Sequence, residues 1–246
     1  GDAPTGRLPC GEQAFRRLLE PLGFHEAGLY PLERLRMTGR AYAHRDLPAD
    51  IPQFFVSELH VEAFSAPFAE AAHRVFDSAT DPLGERGAAL LTSLAEAGSL
   101  VFNEASELLP LLVGCFARTH ATPALEDYEQ LRAESAEAAW IATEGWAFNH
   151  VTDRVADLDA VVARQQALGR PLKEKIEVSR SGRVRQTAFR ADPVEREFAV
   201  SDGVVTRTVP GSFYEFIARD HVADAEGQLD LAFDTGNAQG IFKMTS

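Results

Sequence analysis

The spacing of apolar and polar positions divides the chain into three parts. Residues 12–22, "EQAFRRLLEPL", carry apolar positions at helical spacing, and Gly23 ends the run. Three shorter runs follow, "FHEAGLYPL", "LRMTGRAYAHR" and "QFFVSEL"; their alternation and the turn residues between them predict strands. From Phe64 to Trp146 the period changes to one near four. The segments "PFAEAAHRVFDSA", "ERGAALLTSLAEAG", "NEASELLPLLVGCFAR" and "LEDYEQLRAESAEAAWIATEG" each offer one apolar stripe, with breaks at "TDPLG", Gly98 and "THATP". From Ala147 the pattern returns to strands around a helix. The order is strand "AFNHVTDRV", helix "DLDAVVARQQALG", strands "KEKIEVS" and "VRQTAFRA", a hairpin from "EREFAVS" and "VVTRTV", and a strand "GSFYEFIAR". Asp157 or Asp159 is placed to start that helix and Gly169 to stop it.

The first and third parts look related. "DIPQFFVSEL" and "TVPGSFYEFIA" each set a proline before an aromatic pair and an alternating run that holds a glutamate. Each ends a βαβββ-like unit, and the first unit reads as one that has lost its first strand. The expected class is therefore α+β: curled sheets lining a cup, built from two such modules around a helical insert. The boundaries are 1–63 for the incomplete first module, 64–146 for the insert, and 147–246 for the second module and tail.

Composition narrows the partners. A net charge of −13 argues against a general nucleic-acid surface, which needs a basic face, but leaves room for an anionic small molecule in a local basic pocket. Two cysteines, Cys10 and Cys115, are too few for a disulfide framework and fit reduced core residues of a cytoplasmic protein. The most apolar window, "AGSLVFNEASELLPLLVGCFA", is interrupted by two glutamates, an asparagine and a proline, so no membrane span is expected. The opening "GDAPTGRLPCGEQAF" has no initiator methionine and no apolar leader, and reads as the middle of a gene product. The tail "LDLAFDTGNAQGIFKMTS" offers turns that could fold back over a site, or a plain surface turn and terminal strand.

The candidate chemistry lies in the third part. In "EGWAFNHVTDRV" a strand puts His150, Thr152 and Arg154 on one face. A solvent-facing strand gives this pattern, and so does one edge of a metal site. Glu215, in the last strand, could meet His150 across a curled sheet. An imidazole and a carboxylate suit Fe(II) or Mn(II), and one more histidine would complete a two-histidine, one-carboxylate set. His60 and His221 compete for that place; Glu58 could be the first unit's counterpart of Glu215. Arg154 has the planar fork that holds a carboxylate, and Gln186 and Arg190 share a parity in "VRQTAFRA". Lys173 and Lys175 are given a surface role.

Taken together, "GEQAFRRLLEPLGF", "GLYPLERLRMTGRAYAHRD", "QFFVSELHVEAFS", "GWAFNHVTDRV", "VPGSFYEFIAR" and "FDTGNAQGIFKMTS" resemble the DUF1338 family, similar to the 2-oxoadipate dioxygenase/decarboxylases or 2-hydroxyglutarate synthases. The resemblance covers nearly the whole chain. It implies a variant of the vicinal oxygen chelate fold with a helical insert. It also implies Fe(II), bound by two histidines and a glutamate, and conversion of 2-oxoadipate and O2 to D-2-hydroxyglutarate and CO2 in lysine catabolism. His150 matches the second histidine and Glu215 the glutamate. The family's first histidine, with a substrate-binding arginine four residues on, belongs before "GRLPCGEQAF", where this sequence shows no match; the expectation is an upstream segment. Two other classes stay open: a catalytically silent protein that binds an acidic metabolite or partner, and a metal-dependent lyase or isomerase that uses no O2.

Overall fold

The computed structural model describes residues 4–222 and 229–233. The segment "DTGNAQG" and the rest of the tail after Phe233 lie outside the described residues. The chain divides into two compact units, Gly1–Ala147 with Arg196–Arg207, and Phe148–Glu195 with Thr208–Ser246.

In the first unit, helix α1 (Gln13–Leu19) precedes strands β1 (Phe24–Leu32), β2 (Met37–His44) and β3 (Phe54–Leu59). These pair as an antiparallel sheet in the order β1-β2-β3. The alternation read from the sequence has its cause here: Leu19 of α1 packs with Phe24, Tyr42 and Val56, so one sheet face is apolar where the helix lies. Five helices follow: α2 (Ala66–Phe76), α3 (Gly84–Ala97), α4 (Phe102–Gly114), α5 (Leu125–Glu134) and α6 (Ala136–Glu144). The sequence stripe over 125–145 predicted one helix; the structure has two. Ser135 breaks it by going extended (φ −148°, ψ 115°), and its hydroxyl accepts from the Ala138 amide to cap α6. Leu18 and Cys115 join Leu83, Leu90, Leu91, Leu108 and Leu112 in a core, so Cys115 is the apolar filler expected of it.

The second unit holds β4 (His150–Arg154), α7 (Leu158–Ala167), β5 (Glu177–Val178), β6 (Val184–Ala188) and β9 (Phe213–Arg219). A ribbon, β7 (Pro193–Val200) and β8 (Gly203–Pro210), intervenes before β9. The main sheet has the order β4-β9-β6-β5. Asp157 caps α7 by accepting from the Ala160 amide, as its place before the apolar run implied. Leu158 and its neighbours Val161 and Val162 pack on Phe216 and Ala218, which fixes one face of the sheet as the helix side.

Two expectations change. The class is α+β, but among the described residues the curled sheets of a vicinal oxygen chelate-like cup are not present: the strands there form three open sheets, of three, four and two strands. Strand β4, whose inward face was expected to oppose that of β9 in a curled sheet, lies beside it in parallel pairing. The strand predicted over 173–179 shrinks to Glu177–Val178. Lys173 and Glu177 form an ion pair of 2.9 Å across four positions, a span of about 13 Å if the segment were extended, so the chain bends there. Among the described residues no helix is long and apolar enough to cross a membrane.

Candidate metal centre

Parity and register build the site. Thr152 pairs with Glu215, Ala188 pairs with Glu215 on its other side, Gln186 pairs with Ile217, and Glu177 pairs with Gln186. Paired residues share a face, and alternate residues along a strand share it too. His150, Thr152, Gln186, Glu177 and Glu215 therefore stand on the face opposite α7. His150 pairs with Phe213, one pleat before Glu215, and its ring stacks on that phenyl at 5.1 Å and 8°.

Glu215 is 5% exposed. Its carboxylate accepts from the Thr152 hydroxyl at 3.0 Å and from the Gln186 amide at 3.1 Å. Both donors are neutral. Burial outweighs them and pushes the Glu215 pKa from its ordinary 4.5 to about 7. His150 behaves in the complementary way. Burial first, then the charge of Lys173, lowers its pKa from 6.5 to about 4. Its Nδ1–H donates to the Asn149 side-chain oxygen at 2.6 Å, which leaves the Nε2 lone pair as the available donor. Between pH 4 and 7 the pair is thus neutral on both sides, a neutral imidazole beside a protonated carboxyl.

This donor set fits a cation. A neutral imidazole with its second nitrogen already anchored is the form that ligates metals, and a buried carboxylate whose hydrogen-bond donors Thr152 and Gln186 are neutral gains from added positive charge. Among the described residues no group of three or more histidine, cysteine, aspartate or glutamate side chains converges to hold a metal ion.

The other sequence candidates are spread out. Gln186 sits in the cluster, but its amide NH2 is used by two carboxylates, those of Glu215 and, at 3.3 Å, Glu177. Arg154, at the end of β4, and Arg190, beyond β6, are exposed; the Arg190 backbone amide bonds to the Pro171 carbonyl. His60 is bound to the Thr38 hydroxyl at 2.8 Å, and Glu58 is taken by Arg40 at 2.9 Å. His221 makes an isolated bridge with Leu229. His73 is exposed beside Asp77, and His120 is buried against the Ala142 carbonyl. Sequence reading passed over four residues of the cluster: Asn149, Thr152 as a partner of Glu215, Glu177, and Lys173, which binds Glu177 at 2.9 Å. The parity of Thr152 with His150 was visible; the bend that turns Lys173 inward was not.

A family model described as HGLS, 2-oxoadipate dioxygenase/decarboxylase, matches residues 5–243. The chloroplastic 2-oxoadipate dioxygenase/decarboxylase of Arabidopsis thaliana is 28% identical over 214 residues, 79% of this chain and 51% of that protein. The chain spans about half the length of the curated relatives it matches, at 51% and 59%. A crystal structure of a Ralstonia eutropha JMP134 protein assigned to the glyoxalase superfamily is 56% identical, with a TM-score of 0.88, covering 94% of this chain and 71% of that one. The hydroxyglutarate synthase of Oryza sativa, solved in complex with 2-oxoadipate, shares the fold at 20% identity and a TM-score of 0.70, covering 96% of this chain and 76% of that one. With the family model matched along nearly its full length, the chain belongs to the 2-oxoadipate dioxygenase/decarboxylase (HGLS) family, and with that membership comes a metal cofactor.

Proposed function

We propose that the protein is an Fe(II)-dependent dioxygenase/decarboxylase that converts 2-oxoadipate and O2 to D-2-hydroxyglutarate and CO2. His150 and Glu215 are two of its metal ligands, and Arg154, Gln186 and Arg190 serve the substrate. The observation that carries this reading is the pairing of a ligand-ready His150 with a buried, cation-deficient Glu215 on one sheet face, in a chain of this family. The Oryza sativa relative, solved with 2-oxoadipate, supports the choice of substrate.

Iron supplies the electrons for O2 activation and Lewis acidity toward the 2-oxo acid when bound. The protein's share is to prepare the face. Asn149 fixes the His150 tautomer, so Nε2 rather than Nδ1 meets the metal. Thr152 and Gln186 hold the two oxygens of Glu215, so the carboxylate would be offered to a metal in one orientation. Glu215 would hold the cation in its ionised form, and its burial would limit competition from water for the carboxylate. Gln186, whose amide NH2 donates to both Glu215 and Glu177, serves the substrate through that NH2 and through the orientation it gives Glu215.

The test is oxygen uptake by the full-length gene product with 2-oxoadipate, with product identified by mass and chirality, beside Glu215→Ala and His150→Ala. The reading expects stoichiometric O2 use and CO2 release in the parent and loss of both in each variant. Substrate consumption without O2 would assign a lyase or isomerase, and binding without turnover a silent metabolite-binding protein.

A further inference from the structure

The cluster contains a second carboxylate that the metal does not need. Glu177 lies on the same face as Glu215, because it pairs with Gln186 across β5 and β6. Its carboxylate accepts from the Lys173 ammonium at 2.9 Å and from the Gln186 amide at 3.3 Å. The same amide reaches Glu215 at 3.1 Å, so Glu177 stands one hydrogen-bond link from the proposed ligand. Lys173 is drawn in rather than solvated: its side chain is 16% exposed, against 28% for Glu177. The bend at 173–176 and the bond from the Lys173 backbone amide to the Ala188 carbonyl at 3.0 Å hold it there. Its bond to Glu177, whose register with Gln186 puts it on the Glu215 face, places the ammonium at that face.

An ammonium and an amide converging on a carboxylate form a carboxylate-binding subsite whose occupant happens to be the protein's own side chain. We infer that Lys173 and Gln186 bind the carboxylate of a dicarboxylic 2-oxo acid that lies remote from its keto group, and that Glu177 holds the place of that carboxylate until substrate displaces it. This deepens the proposed function and rests on it for the class of substrate. Displacement keeps Lys173 paired with one carboxylate before and after, and turns the Glu177 carboxylate toward solvent. Glu177 then acts as an internal competitor that sets how tightly a diacid binds, and a monocarboxylic 2-oxo acid, with a methyl group at the remote end, has nothing to exchange for it.

The experiment compares 2-oxoadipate with 2-oxohexanoate, which keeps the chain length and loses the remote charge. Each is titrated calorimetrically into the anaerobic, Fe(II)-loaded full-length gene product, and oxygen uptake is measured separately. Lys173→Met is expected to weaken 2-oxoadipate by about 10- to 100-fold, the worth of a charge-assisted contact, and 2-oxohexanoate by less than about threefold. Lys173→Arg should recover most of the loss. Glu177→Gln should move the other way and tighten 2-oxoadipate several-fold. Equal losses for the two acids in Lys173→Met, no diacid preference in the parent, or weaker diacid binding in Glu177→Gln would overturn the inference. Lys173-dependent diacid binding without oxygen uptake would keep the subsite and defeat the dioxygenase; uptake with an unchanged diacid preference in Lys173→Met would do the reverse.

Discussion

Glu58 on β3 and Glu215 on β9 occupy comparable places in two sheets of like construction. In each unit a helix precedes an antiparallel ladder, β1-β2-β3 after α1 and β5-β6-β9 after α7. The electrostatics differ. Glu58 has the Arg40 guanidinium at 2.9 Å, and the same arginine comes within 3.9 Å of Glu12, which also accepts from the Tyr42 hydroxyl at 2.8 Å. Burial and that bond push the Tyr42 pKa upward, so the phenol stays protonated as a donor. Glu215 has Thr152 and Gln186, a histidine held neutral beside it, and a fourth strand, β4, that brings both Thr152 and His150. A half-buried carboxylate neutralised by arginine is a structural element. One whose hydrogen bonds come from a hydroxyl and an amide, and whose pKa burial keeps raised despite the charges of Lys173 and Arg219, gains more from an added cation. The parallel strand β4 makes the difference between the two sheets.

The strongest way to break this contrast is to give Glu215 the partner that Glu58 has. Gln186→Arg should place a guanidinium beside Glu215, drop its pKa below the ordinary range and weaken Mn(II) binding by about 100-fold, as read by electron paramagnetic resonance of free Mn(II). Unchanged Mn(II) affinity would mean that charge deficiency is not what prepares the site.

The next test uses pH on the metal-free protein. Glu215 is raised from 4.5 to about 7, so its contribution to stability is complete below about pH 4.5 and is lost as pH rises through about 7. His150 is lowered from 6.5 to about 4; the unfolded chain takes up its proton first, so stability falls as pH drops from 6.5 toward 4. The two slopes oppose each other over nearly the same window. Each amounts to roughly 3 kcal/mol, and together they nearly cancel. Urea unfolding of Glu215→Gln should therefore show stability rising between pH 4.5 and 6.5, and His150→Gln should show it falling between pH 4.5 and 7. Parallel profiles in the two variants would contradict the assignment.

Smaller effects sharpen the other side of the comparison. Arg40→Met removes the cation that Glu58 and Glu12 share; with side-chain exposures of 19% and 14% for Arg40 and Glu58, it should cost about 2 kcal/mol in urea unfolding and leave Mn(II) affinity unchanged. Thr152→Val keeps the shape and removes one donor to Glu215. It should cost about 1 kcal/mol at pH 8 and raise the Glu215 pKa further, seen as an upward shift in the pH midpoint of Mn(II) binding.

The sequence carried the elements better than their arrangement. The stripes of α3 and α4 and the alternation of β1 to β3 were legible because each buries one face against a neighbour close in the chain. The place of β4 beside β9 was not, since parallel pairing joins strands far apart in sequence and leaves no local signal. That is why His150 and Glu215 were expected to oppose each other and instead lie side by side on an open sheet. Strand parity alone put His150 and Thr152 on one face correctly, and the register then brought Thr152 to Glu215. Lys173 was read as a surface charge because its inward turn depends on a bend set by pairing with Glu177 and with the Ala188 carbonyl, neither of which a window of sequence reveals.

Anaerobic titration of Fe(II) into the full-length gene product, monitored by calorimetry, tests the contrast between the two glutamates most directly. Glu215→Ala and His150→Ala should each lower the affinity by at least about 100-fold, while Glu58→Ala leaves it within about twofold of the parent. Iron binding that survives Glu215→Ala, or that is lost in Glu58→Ala with the fold intact, would contradict the account.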